Sequence, residues 1–542
     1  MKELQNLNGV HFLPIGGCSE IGMNLYAYIC DNQWILVDMG IGFSNEFGRS
    51  LVLPDISILH GKNIKALILT HAHEDHIGAI PHLWEKIRCP IYATNFTAEM
   101  VMHKACEYQL EKDLMLIRSE IGRPFDIGTF NIEFINVAHS TAEACALAIK
   151  TKAGMIVHSG DWRIDTDPVF GAKTDEERFK QLGDEGVLAF VCDSTNVFKE
   201  DQPSTERSVR ENLIQIVQKY HGRKVAITCF ASNVARIETC YKAACATGRK
   251  MVVVGRSLKR IEKVARAAGY LSDIPAFYTE NDLKNFKDHE VLLICTGSQG
   301  ERNSALYKIA YDMHTDVQLA NPDVLLFSSR IIPGNEKTVV SLQNELIKKG
   351  VTVVNDHHYD IHASGHPCVA DLKRVYALLR PEIVIPMHGD ARSLHRHIEI
   401  ANSCGIQKTI APENGALIKI EQQGATKICN IESKILALEG NRLVPNESNI
   451  FKQREELSNN GVLFISVKNT AKDVRVINIT ALGVYDEESY LFDDIASAIQ
   501  IGHSGKSRNR DRKWLERNII KTAQKTLSRN TGARPNIMVH FV

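Results

Sequence analysis

The run HAHEDH, residues 71–76, places four side chains that can bind a metal ion within six positions. The four are His71, His73, Asp75 and His76, and they directly follow the apolar run ALILT. Imidazole nitrogens and carboxylate oxygens are ligands of first-row divalent ions, and two such groups at a strand end can bind one ion while the next two bind a second. The run therefore predicts a metal site, and a chance meeting of four surface polar residues is the weaker explanation.

Three further donors also stand at the ends of apolar runs, namely His139 in NVAHS, Asp161 in HSGDWR and His388 in IPMHGD. Any one of them alone would more often be a core or turn residue. Together with HAHEDH they predict two metal ions, one bound by His71, His73 and His139, the other by Asp75, His76 and His388, with Asp161 as the bridge. Two ions about 3.5 to 4 Å apart can activate water and hold the oxygens of a phosphodiester.

The elements that position these donors are short apolar runs between turn residues, from residue 11 to about residue 200. Each ends on a polar residue that could act chemically: WILVDMG at 34–40, IKALILTHAH at 64–73, NIEFINVAHS at 131–140, GMIVHSGD at 154–161 and VLAFVCDS at 187–194. Strands that end in this way predict a buried sheet with its site along one edge.

The pattern changes near residue 201 to alternating helices and strands. SVRENLIQIVQKY and NVARIETCYKAACATG, the latter closed by Gly248, are typical of helices, whereas KVAITCF, KMVVVG, ICTGSQG and DVLLFSSR are typical of strands. This alternation predicts a separate module of parallel βα units. Histidines become dense again from His357 to His397, so we expect the first domain to resume after an insertion.

The end of the chain predicts a small α+β domain. After a mixed polar segment at 426–458, which we interpret as a linker, strand-like runs surround one helix-like run: VLFISVK, VRVINITALGVY and PNIMVHFV around WLERNIIKTAQKTLSR. The last 42 residues hold ten Lys or Arg and two acids, with a dense basic cluster at Lys506, Arg508, Arg510, Arg512 and Lys513. Such a cluster can neutralise the backbone phosphates of a nucleic acid, although a solvated helix face or an oligomer contact explains it equally well.

The composition is that of an ordinary water-soluble protein. The 542 residues include 64 basic and 64 acidic side chains, so the net charge decides nothing about a polyanionic partner. No start resembling a secretory signal and no apolar run long enough to cross a bilayer is present, so no membrane partner is expected. Thirteen scattered cysteines without a CxxC pair indicate reduced thiols and a cytoplasmic location.

HAHEDH, His139, Asp161 and His388, in this order, resemble the metallo-β-lactamase fold, a four-layer αββα sandwich. The insertion resembles the β-CASP module of nucleic-acid nucleases within that fold. Further motifs along nearly the whole chain are similar to bacterial ribonuclease J: GGCSEIGMN, LPDIS, CDSTN, FASNVARI, CTGSQGE, SSRIIPGNE, HASGH, APENG and the ending ARPNIMVHFV. The resemblance implies a metallo-β-lactamase domain at 1–200 and 361–425, a β-CASP domain at 201–360, the linker at 426–458 and a C-terminal α+β domain at 459–542.

The resemblance also implies catalytic roles for Asp75, Asp193 and His366. His366 is expected to act on the leaving oxygen as general acid or transition-state stabiliser, and Asp193 to orient His366 or a metal ligand. A turn or helix-capping role ahead of Ser194 and Thr195 is the alternative for Asp193.

Two short segments are expected to bind the substrate phosphate. In HASGH, Gly365 allows a close backbone approach and Ser364 and His362 supply donors, with Ala363 and His366 completing the segment. In FASNV, we expect Ser232, Asn233 and Val234 to bind a neighbouring phosphate at a strand-to-helix turn. A helix N-cap is the alternative for the Ser-Asn pair.

Two departures from the family pattern affect finer predictions. GFSNEFGRS contains only Glu46 where the family often has an acidic run, so a third, structural metal is doubtful. TGSQGE continues with Arg302-Asn303, which leaves fine substrate contacts open. A basic group on the inserted module, Lys250, Arg256, Lys259 and Arg260, is as ambiguous as the one near the C-terminus.

The donors predict a two-metal hydrolase, and the resemblance implies a ribonuclease with two zinc ions, manganese or magnesium being alternatives, that has 5′-to-3′ exonuclease and endonuclease activity in RNA maturation and decay. The expected partners are single-stranded RNA with a 5′-monophosphate, a second copy in a homodimer or homotetramer, and other RNA-decay proteins. The competing functions are a thioester or lactam hydrolase of the same fold, a DNA-preferring β-CASP nuclease, and an RNA-binding assembly subunit. None of the predicted ligands is missing, which argues against the last.

Overall fold

The structure is a computed structural model that describes residue 4 and residues 7–44, 51–200, 204–356, 359–469, 473–484, 489–503 and 511–542. The described residues form two compact units, one up to Phe43 and from Leu51 to Ile435, the other from Leu436 to Val542. Glu46, Lys506, Arg508 and Arg510, which the sequence singled out, lie outside the described residues. Within the described ranges, no helix has both the length and the apolar character that crossing a bilayer requires.

The first part of the larger unit is mainly strand. Its strands are β1 (Val10–Gly16), β2 (Leu25–Cys30), β3 (Gln33–Val37), β4 (Gly42–Phe43), β5 (Leu51–Pro54), β6 (Asn63–Ile68), β7 (Ile91–Ala93), β8 (Leu116–Arg118), β9 (Phe125–Ile127), β10 (Phe130–Asn136), β11 (Cys145–Thr151), β12 (Gly154–His158) and β13 (Val187–Asp193). Its helices are α1 (Glu74–Ile77), α2 (Ile80–Leu83), α3 (Asn95–Glu107) and α4 (Glu176–Glu185), with 3-10 turns at Ile56–Leu59 and Trp84–Lys86.

The inserted module alternates helices and strands as the sequence predicts. It comprises α5 (Glu206–Lys219), β14 (Val225–Thr228), α6 (Val234–Ala246), β15 (Lys250–Val254), α7 (Arg256–Ala267), β16 (Tyr278–Thr279), 3-10 turns at Glu280–Asn285 and Asp288–Glu290, β17 (Val291–Cys295), α8 (Ala305–Ala310), β18 (Val324–Phe327), α9 (Glu336–Lys348) and β19 (Thr352–Val354). Its six strands pair in parallel in the order β16-β15-β17-β14-β18-β19. The parallel pairing follows from the helices that connect successive strands.

The chain then returns to the first part of the unit. The returning elements are α10 (Val369–Leu379), β20 (Ile383–Met387), α11 (Ala391–Ser403), β21 (Lys408–Thr409), β22 (Ala416–Glu421) and β23 (Gly424–Asn430). They complete two sheets, with the strand orders β23-β22-β1-β2-β3-β6-β7-β8 and β21-β20-β13-β12-β11-β10-β9. The inserted module therefore interrupts a sheet whose neighbouring strands β13 and β20 lie on either side of it in sequence.

A hydrophobic core lies between these two sheets. Phe12 and Tyr28 from the first sheet pack in one cluster with Phe134, Leu147 and other residues of the second. A second cluster on the outer face of the seven-stranded sheet includes residues of α4, α10 and α11, and α3 contacts β7 and β8 of the other sheet. Each fully buried side chain of this size stabilises the fold by about 1.5–3 kcal/mol relative to exposure. The predicted αββα sandwich with an inserted α/β module is confirmed.

The end of the chain contains a hairpin, a helix and a small α+β fold. Its elements are β24 (Ile435–Glu439), β25 (Arg442–Pro445), α12 (Asn449–Asn460), β26 (Val462–Asn469), β27 (Val474–Leu482), α13 (Ser489–His503), α14 (Arg512–Asn530) and β28 (Asn536–Phe541). The range 426–458, interpreted from the sequence as a linker, thus carries most of β23, the hairpin β24–β25 and most of α12. In the α+β fold, β26 pairs antiparallel with β27 and parallel with β28, and α13 and α14 share their core.

Candidate metal centre

The metal-binding side chains come from the ends of strands that the fold places side by side. Strands β12, β13 and β20 are parallel neighbours, so their carboxyl ends meet at one sheet edge. Asp193 is the last residue of β13, Asp161 follows β12 by three residues, and His388 directly follows β20. His71 and His73 follow β6 of the other sheet, and Asp75 and His76 lie in the single turn of α1.

The first donor group consists of His71, His73, His139 and Asp161, whose ligand atoms all lie within 4.8 Å of one another. His73 Nδ1 is 3.2 Å from His71 Nε2 and 3.0 Å from His139 Nε2. Asp161 Oδ2 is 3.7 Å from His71 Nε2 and 3.8 Å from His139 Nε2. Ligand atoms about 2.1 Å from a tetrahedral zinc ion are about 3.4 Å apart, so the spacing of this group fits one ion.

The second donor group consists of Asp75, His76, Asp161 and His388. His76 Nε2 is 3.3 Å from Asp161 Oδ2 and 3.6 Å from Asp75 Oδ2. His388 Nε2 is 3.3 Å from Asp75 Oδ2. His388 Nε2 and Asp161 Oδ1 are buried, and within the described part of the chain their contacts, 3.3 Å to Asp75 Oδ2 and 3.1 Å to His388 Nδ1, lack hydrogen-bond geometry. Such atoms are costly to bury unless a ligand satisfies them. The residues present therefore fit a metal ion here too, with Asp161 shared by both groups.

A third group joins Asp193 and His366 to Asp161 and His388. His366 Nδ1 lies 2.7 Å from Asp193 Oδ2, and His388 Nδ1 lies 3.7 Å from Asp193 Oδ1. Asp193 Oδ1 also accepts hydrogen bonds from the backbone N–H and the hydroxyl of Thr195, at 2.8 and 2.7 Å. The turn contacts suggested as an alternative for Asp193 thus coexist with the contact to His366.

The histidines of the two metal groups have opposite electrostatic environments. Burial lowers the pKa of His71 and His139 well below the usual range and that of His73 to about 4, so these imidazoles are neutral. Burial alone would also lower the pKa of His76 and His388, but nearby carboxylates, Asp161 foremost, raise both well above the usual range. A cation bound in the second group would take the place of the protons that these two imidazoles hold.

Asp38 positions the second group, and the sequence analysis missed it. It follows β3 and is fully buried, with Oδ2 2.7 Å from His76 Nδ1. Its two carboxylate oxygens accept hydrogen bonds from the backbone N–H and the hydroxyl of Thr70, both at 2.8 Å. A carboxylate bound to the far nitrogen of a ligand histidine fixes its orientation and makes it a stronger ligand. The signal was present, because WILVDMG ends on a polar residue like the other runs.

Asn24 is a second residue that the sequence analysis missed. Its amide nitrogen lies 3.0 Å from His76 Nε2 and donates to the Asp75 backbone carbonyl at 3.1 Å. The Tyr26 hydroxyl donates to Asn24 Oδ1 at 2.7 Å and so orients the amide. Its only sequence signal is its place at the end of GGCSEIGMN.

Two glycines allow backbone to approach the centre closely. A Cβ added to Gly40 would lie 1.6 Å from the Asp75 carbonyl oxygen, and one added to Gly365 would lie 2.6 Å from His139 Cε1. The Gly365 carbonyl in turn accepts a hydrogen bond from His139 Nδ1 at 2.6 Å. The HASGH segment therefore orients a predicted metal ligand directly.

Four family models match successive parts of the chain. They are described as a beta-lactamase superfamily domain (residues 33–176), the beta-CASP domain of ribonuclease J (222–346), a Zn-dependent metallo-hydrolase RNA specificity domain (352–407) and the ribonuclease J C-terminal domain (449–542). Ribonuclease J of Sinorhizobium meliloti is 36% identical, over 97% of this chain and 96% of that protein. The chain belongs to the ribonuclease J family.

Other members of the ribonuclease J family match at similar length. Ribonuclease J of Helicobacter pylori strain B128 is 33% identical over 99% of this chain and 80% of its own, and that of Thermus thermophilus is 30% identical over 98% and 94%. A crystal structure of a protein of unknown function from Enterococcus faecalis aligns with a TM-score of 0.53 at 17% identity, covering 76% of this chain and 99% of that one. That likeness concerns the fold alone.

In this member of the ribonuclease J family, the HASGH segment lies beside the third donor group. The Asn196 side-chain amide donates to Ser364 Oγ at 2.6 Å and to the His366 carbonyl at 3.1 Å, a contact that sequence reasoning missed. Ala363 is buried. Burial, and then the charges of Arg236, Arg330 and other cations, lower the pKa of His362 well below its usual range. The segment thus lies in a positively charged environment.

The FASNV turn forms the N-terminus of α6. Asn233 Oδ1 accepts a hydrogen bond from the Arg236 backbone N–H at 2.9 Å, so the capping alternative describes its side chain. Val234 is fully buried and Ser232 is half-buried. The Arg236 guanidinium donates to the Ile361 carbonyl at 2.9 Å and to Glu206 at 3.0 Å. This buried arginine, also missed from the sequence, joins the turn to the residue that precedes the HASGH segment.

Proposed function

We propose that this metal-dependent ribonuclease degrades single-stranded RNA by 5′-to-3′ exonuclease and endonuclease action, using two metal ions, and that it acts in RNA maturation and decay. Membership of the ribonuclease J family and the match to an RNA specificity domain support ribonuclease activity and RNA binding in general. The observation that carries the finer proposal is the convergence of two donor groups on Asp161 beside the His366–Asp193 pair.

The proposed ligands of one ion are His71, His73 and His139, and those of the other are Asp75, His76 and His388, with Asp161 common to both. Zinc fits this set of imidazole and carboxylate donors, as do manganese and magnesium in part. Metal ions bound there would supply Lewis acidity and activate water for attack on phosphorus. Asp38 would hold His76 in place through Nδ1, and Asn24 would hold the backbone at Asp75.

His366 is the proposed proton donor to the leaving oxygen. Its Nδ1 is held by Asp193 at 2.7 Å, which leaves Nε2 directed elsewhere, and its side chain is 23% exposed. A histidine oriented by a buried carboxylate can present a proton at its other nitrogen. Asp193 would therefore be a positioning residue, itself fixed by Thr195.

The proposed phosphate pocket comprises Ser232, Asn233, Val234 and the HASGH residues His362 to His366. The cations near His362 attract a phosphate, and the Ser232 hydroxyl, a hydrogen-bond donor, can donate to it. Asn233 would contribute mainly through the backbone, because its side-chain oxygen already caps α6. The proposed preference for a 5′-monophosphate is tested by comparing substrates that end in a 5′-hydroxyl or a 5′-triphosphate.

A double variant tests the metal mechanism. We expect His73→Ala with Asp75→Ala to lose metal and to leave 5′-monophosphorylated RNA intact, while the wild-type protein degrades it unless treated with a chelator. The Lys180→Ala variant, on the solvent face of α4, is the matched control and should keep full activity. Degradation by the double variant in metal-free buffer would contradict the mechanism.

A time course on RNA labelled at its 5′ end separates the two modes of cleavage. Mononucleotide release from the start indicates exonuclease action, and longer labelled fragments indicate endonuclease action. Matched RNA and DNA oligonucleotides test the substrate class, because metal ions alone cannot sense the 2′-hydroxyl. Equal rates on both would replace the RNA proposal by a general single-strand nuclease.

We further propose a homodimer or homotetramer, with the C-terminal α+β domain contributing to assembly and RNA contacts, and association with other RNA-decay proteins. Arg512 and Lys513, the described part of the basic cluster, begin α14 and are exposed. Light scattering of the full chain at several concentrations determines the number of copies. A monomer at micromolar concentration would contradict this proposal.

A further inference from the structure

Phe198 and Lys199 follow the CDSTN run closely, and none of the roles above applies to them. The Phe198 side chain is 59% exposed, among the larger exposed apolar side chains of the described residues. Lys199 is half-buried and forms no ion pair or hydrogen bond through its ammonium with any described residue. An exposed ring next to an unpaired, partly desolvated cation is unfavourable in the free protein, which suggests a ligand.

The backbone fixes both residues close to the HASGH segment. The Lys199 N–H donates to the Asn196 carbonyl at 2.9 Å, closing the turn that contains Phe198. The Asn196 side chain bonds to Ser364 Oγ and to the His366 carbonyl. On the other side, the Lys199 carbonyl accepts from the Val369 N–H at 2.9 Å. Phe198 and Lys199 are thus held on a turn whose first residue, Asn196, bonds to the proposed phosphate pocket and whose end bonds to Val369, the first residue of α10.

Charges around His362 indicate where an anion would bind. Four cations are close enough to lower its pKa: Arg236, Arg330, Lys199 and Arg163. Arg163 is paired with Asp165 and Arg236 with Glu206, and Arg330 Nε is 3.8 Å from Asp356. Of these four cations, only Lys199 forms no ion pair with any residue that the structure describes. Burial, with the charge of Arg330, lowers the pKa of Lys199 to about 8, so the ammonium is mostly charged at neutral pH.

We propose that Phe198 and Lys199 bind one nucleotide of the RNA next to the phosphate pocket, with Phe198 stacking on its base and Lys199 contacting its backbone phosphate. The inference rests on the proposed function and names two specificity residues for it. Single-stranded RNA presents an unpaired base and a phosphate together, which matches a ring adjacent to a cation. A base held in a duplex cannot offer its face, so this site favours single strands.

Conservative variants test the proposal by steady-state kinetics on a 5′-monophosphorylated single-stranded oligoribonucleotide. We expect Phe198→Leu, which keeps apolar bulk but not the planar ring, to raise KM about 5- to 100-fold with less than a twofold change in kcat. Phe198→Trp should restore a KM near that of the wild type. The control is Lys180→Gln, an exposed lysine on α4, which should leave KM unchanged.

Salt dependence tests the role of Lys199. We use chelator-treated protein, in which the proposed metal mechanism predicts no cleavage, and expect Lys199→Gln to reduce the slope of log Kd against log salt by about 0.7, the value for one phosphate contact on a single strand. Lys199→Arg should retain the slope. A fluorescent base analogue placed along the oligonucleotide should be quenched at one position in the wild type and not in Phe198→Leu.

The outcomes separate this inference from the proposed function. If the wild type degrades single-stranded RNA but Phe198→Leu and Lys199→Gln keep its KM and salt slope, the two residues do not contact RNA and this inference alone fails. If both variants lose hydrolysis of bis(p-nitrophenyl) phosphate in parallel with RNA cleavage, they act on the structure of the metal centre and the inference is also overturned. If the wild type hydrolyses that small diester but no RNA, the proposed function fails first.

Discussion

Asp161 is the one carboxylate that belongs to all three donor groups of the metal centre. Its two oxygens lie within 4 Å of five imidazoles, those of His71, His76, His139, His366 and His388. Burial opposes its ionisation, yet the nearby histidines, His388 and His76 foremost, lower its pKa well below the usual range. The carboxylate therefore stays charged, and its charge is available to both donor groups.

The buried Asp38 carboxylate should affect metal affinity and activity nearly as strongly as a metal ligand does. We expect Asp38→Asn to lower metal affinity and ribonuclease activity about 10- to 100-fold, because His76 loses the charge that orients it. Metal content by mass spectrometry and kcat/KM measure the two effects. Asp31→Asn, which removes an exposed carboxylate paired with Lys152, is the control and should change neither. Full metal content and activity in Asp38→Asn would show that His76 needs no such support.

His366 can be distinguished from a metal ligand by substitution. We expect His366→Asn to reduce kcat about 10²- to 10⁴-fold, the usual contribution of a general acid, while the bound metal remains at the wild-type level. Single-turnover cleavage and metal content are measured on the same sample. Loss of one ion would instead assign His366 to the third donor group as a ligand, with Asp193 and His388.

At the scale of elements, the strand ends explain which residues could be predicted. Asp161 and His388 were predicted from sequence because each ends an apolar run, and Asp193 also ends such a run although its role was implied by the resemblance. Parallel neighbouring strands bring such ends together. Asp38 also lies at the end of an apolar run, but that run, WILVDMG, contains no second metal-binding side chain, so the pattern did not single it out. Asn196 could not be found in this way, because its role depends on a contact with Ser364, 168 residues away. Such contacts are set by loop packing, which leaves no periodic signal.

The close approach of the HASGH segment to His139 should be intolerant of a side chain. A Cβ at position 365 would lie 2.6 Å from His139 Cε1 and 2.9 Å from Ser140 Oγ. We expect Gly365→Ala to displace His139, to lower metal content and activity, and to destabilise the protein by about 1–3 kcal/mol. Thermal unfolding and metal analysis measure these effects.

The control for this substitution is Gly502→Ala. Gly502 lies in α13, and no atom of the described residues is within 4 Å of an added Cβ. Because alanine favours a helix over glycine, we expect an unchanged or slightly raised Tm and full activity. A Gly365→Ala protein that keeps its metal and its Tm would show that the loop can move away from His139.

For the whole molecule, the sequence predicted the architecture better than the polar connections. The β24–β25 hairpin lies in the range interpreted as a linker, and of its residues only Ala437 is fully buried. Strands with so few buried residues show no alternation of apolar and polar positions, so nothing in the pattern distinguishes them from a linker. The sandwich strands, buried on one or both faces, gave clear apolar runs.

Stability of the whole chain should fall in mild acid because it contains buried neutral histidines. His397 is fully buried, with Nδ1 2.8 Å from Ser194 Oγ and Nε2 2.5 Å from the Tyr376 hydroxyl, and burial lowers its pKa to about 4. The unfolded chain has the ordinary value of 6.5 and takes up a proton first. Stability from this group is therefore complete above pH 6.5 and is lost as pH falls towards 4, by about 1.4 kcal/mol per pH unit.

Thermal unfolding of chelator-treated protein between pH 7.5 and 5 measures this loss. We expect His397→Asn to be less stable than the wild type at pH 7.5. Its free energy of unfolding should also change less with pH, by up to the slope that one proton contributes, about 1.4 kcal/mol per pH unit. An equal pH dependence in the two proteins would show that His397 is not a source of the acid sensitivity.

The interruption of the seven-stranded sheet has a consequence for biosynthesis. Strand β20 pairs with β13, yet His388 is translated long after Asp193, because the inserted module lies between them. At roughly 5 to 20 residues per second, the ribosome needs on the order of 10 to 40 s to cover that interval. During this time the nascent chain carries its HAHEDH run without His388, the last of the proposed ligands. The second donor group therefore cannot be completed on the ribosome until β20 has been made and has paired with β13.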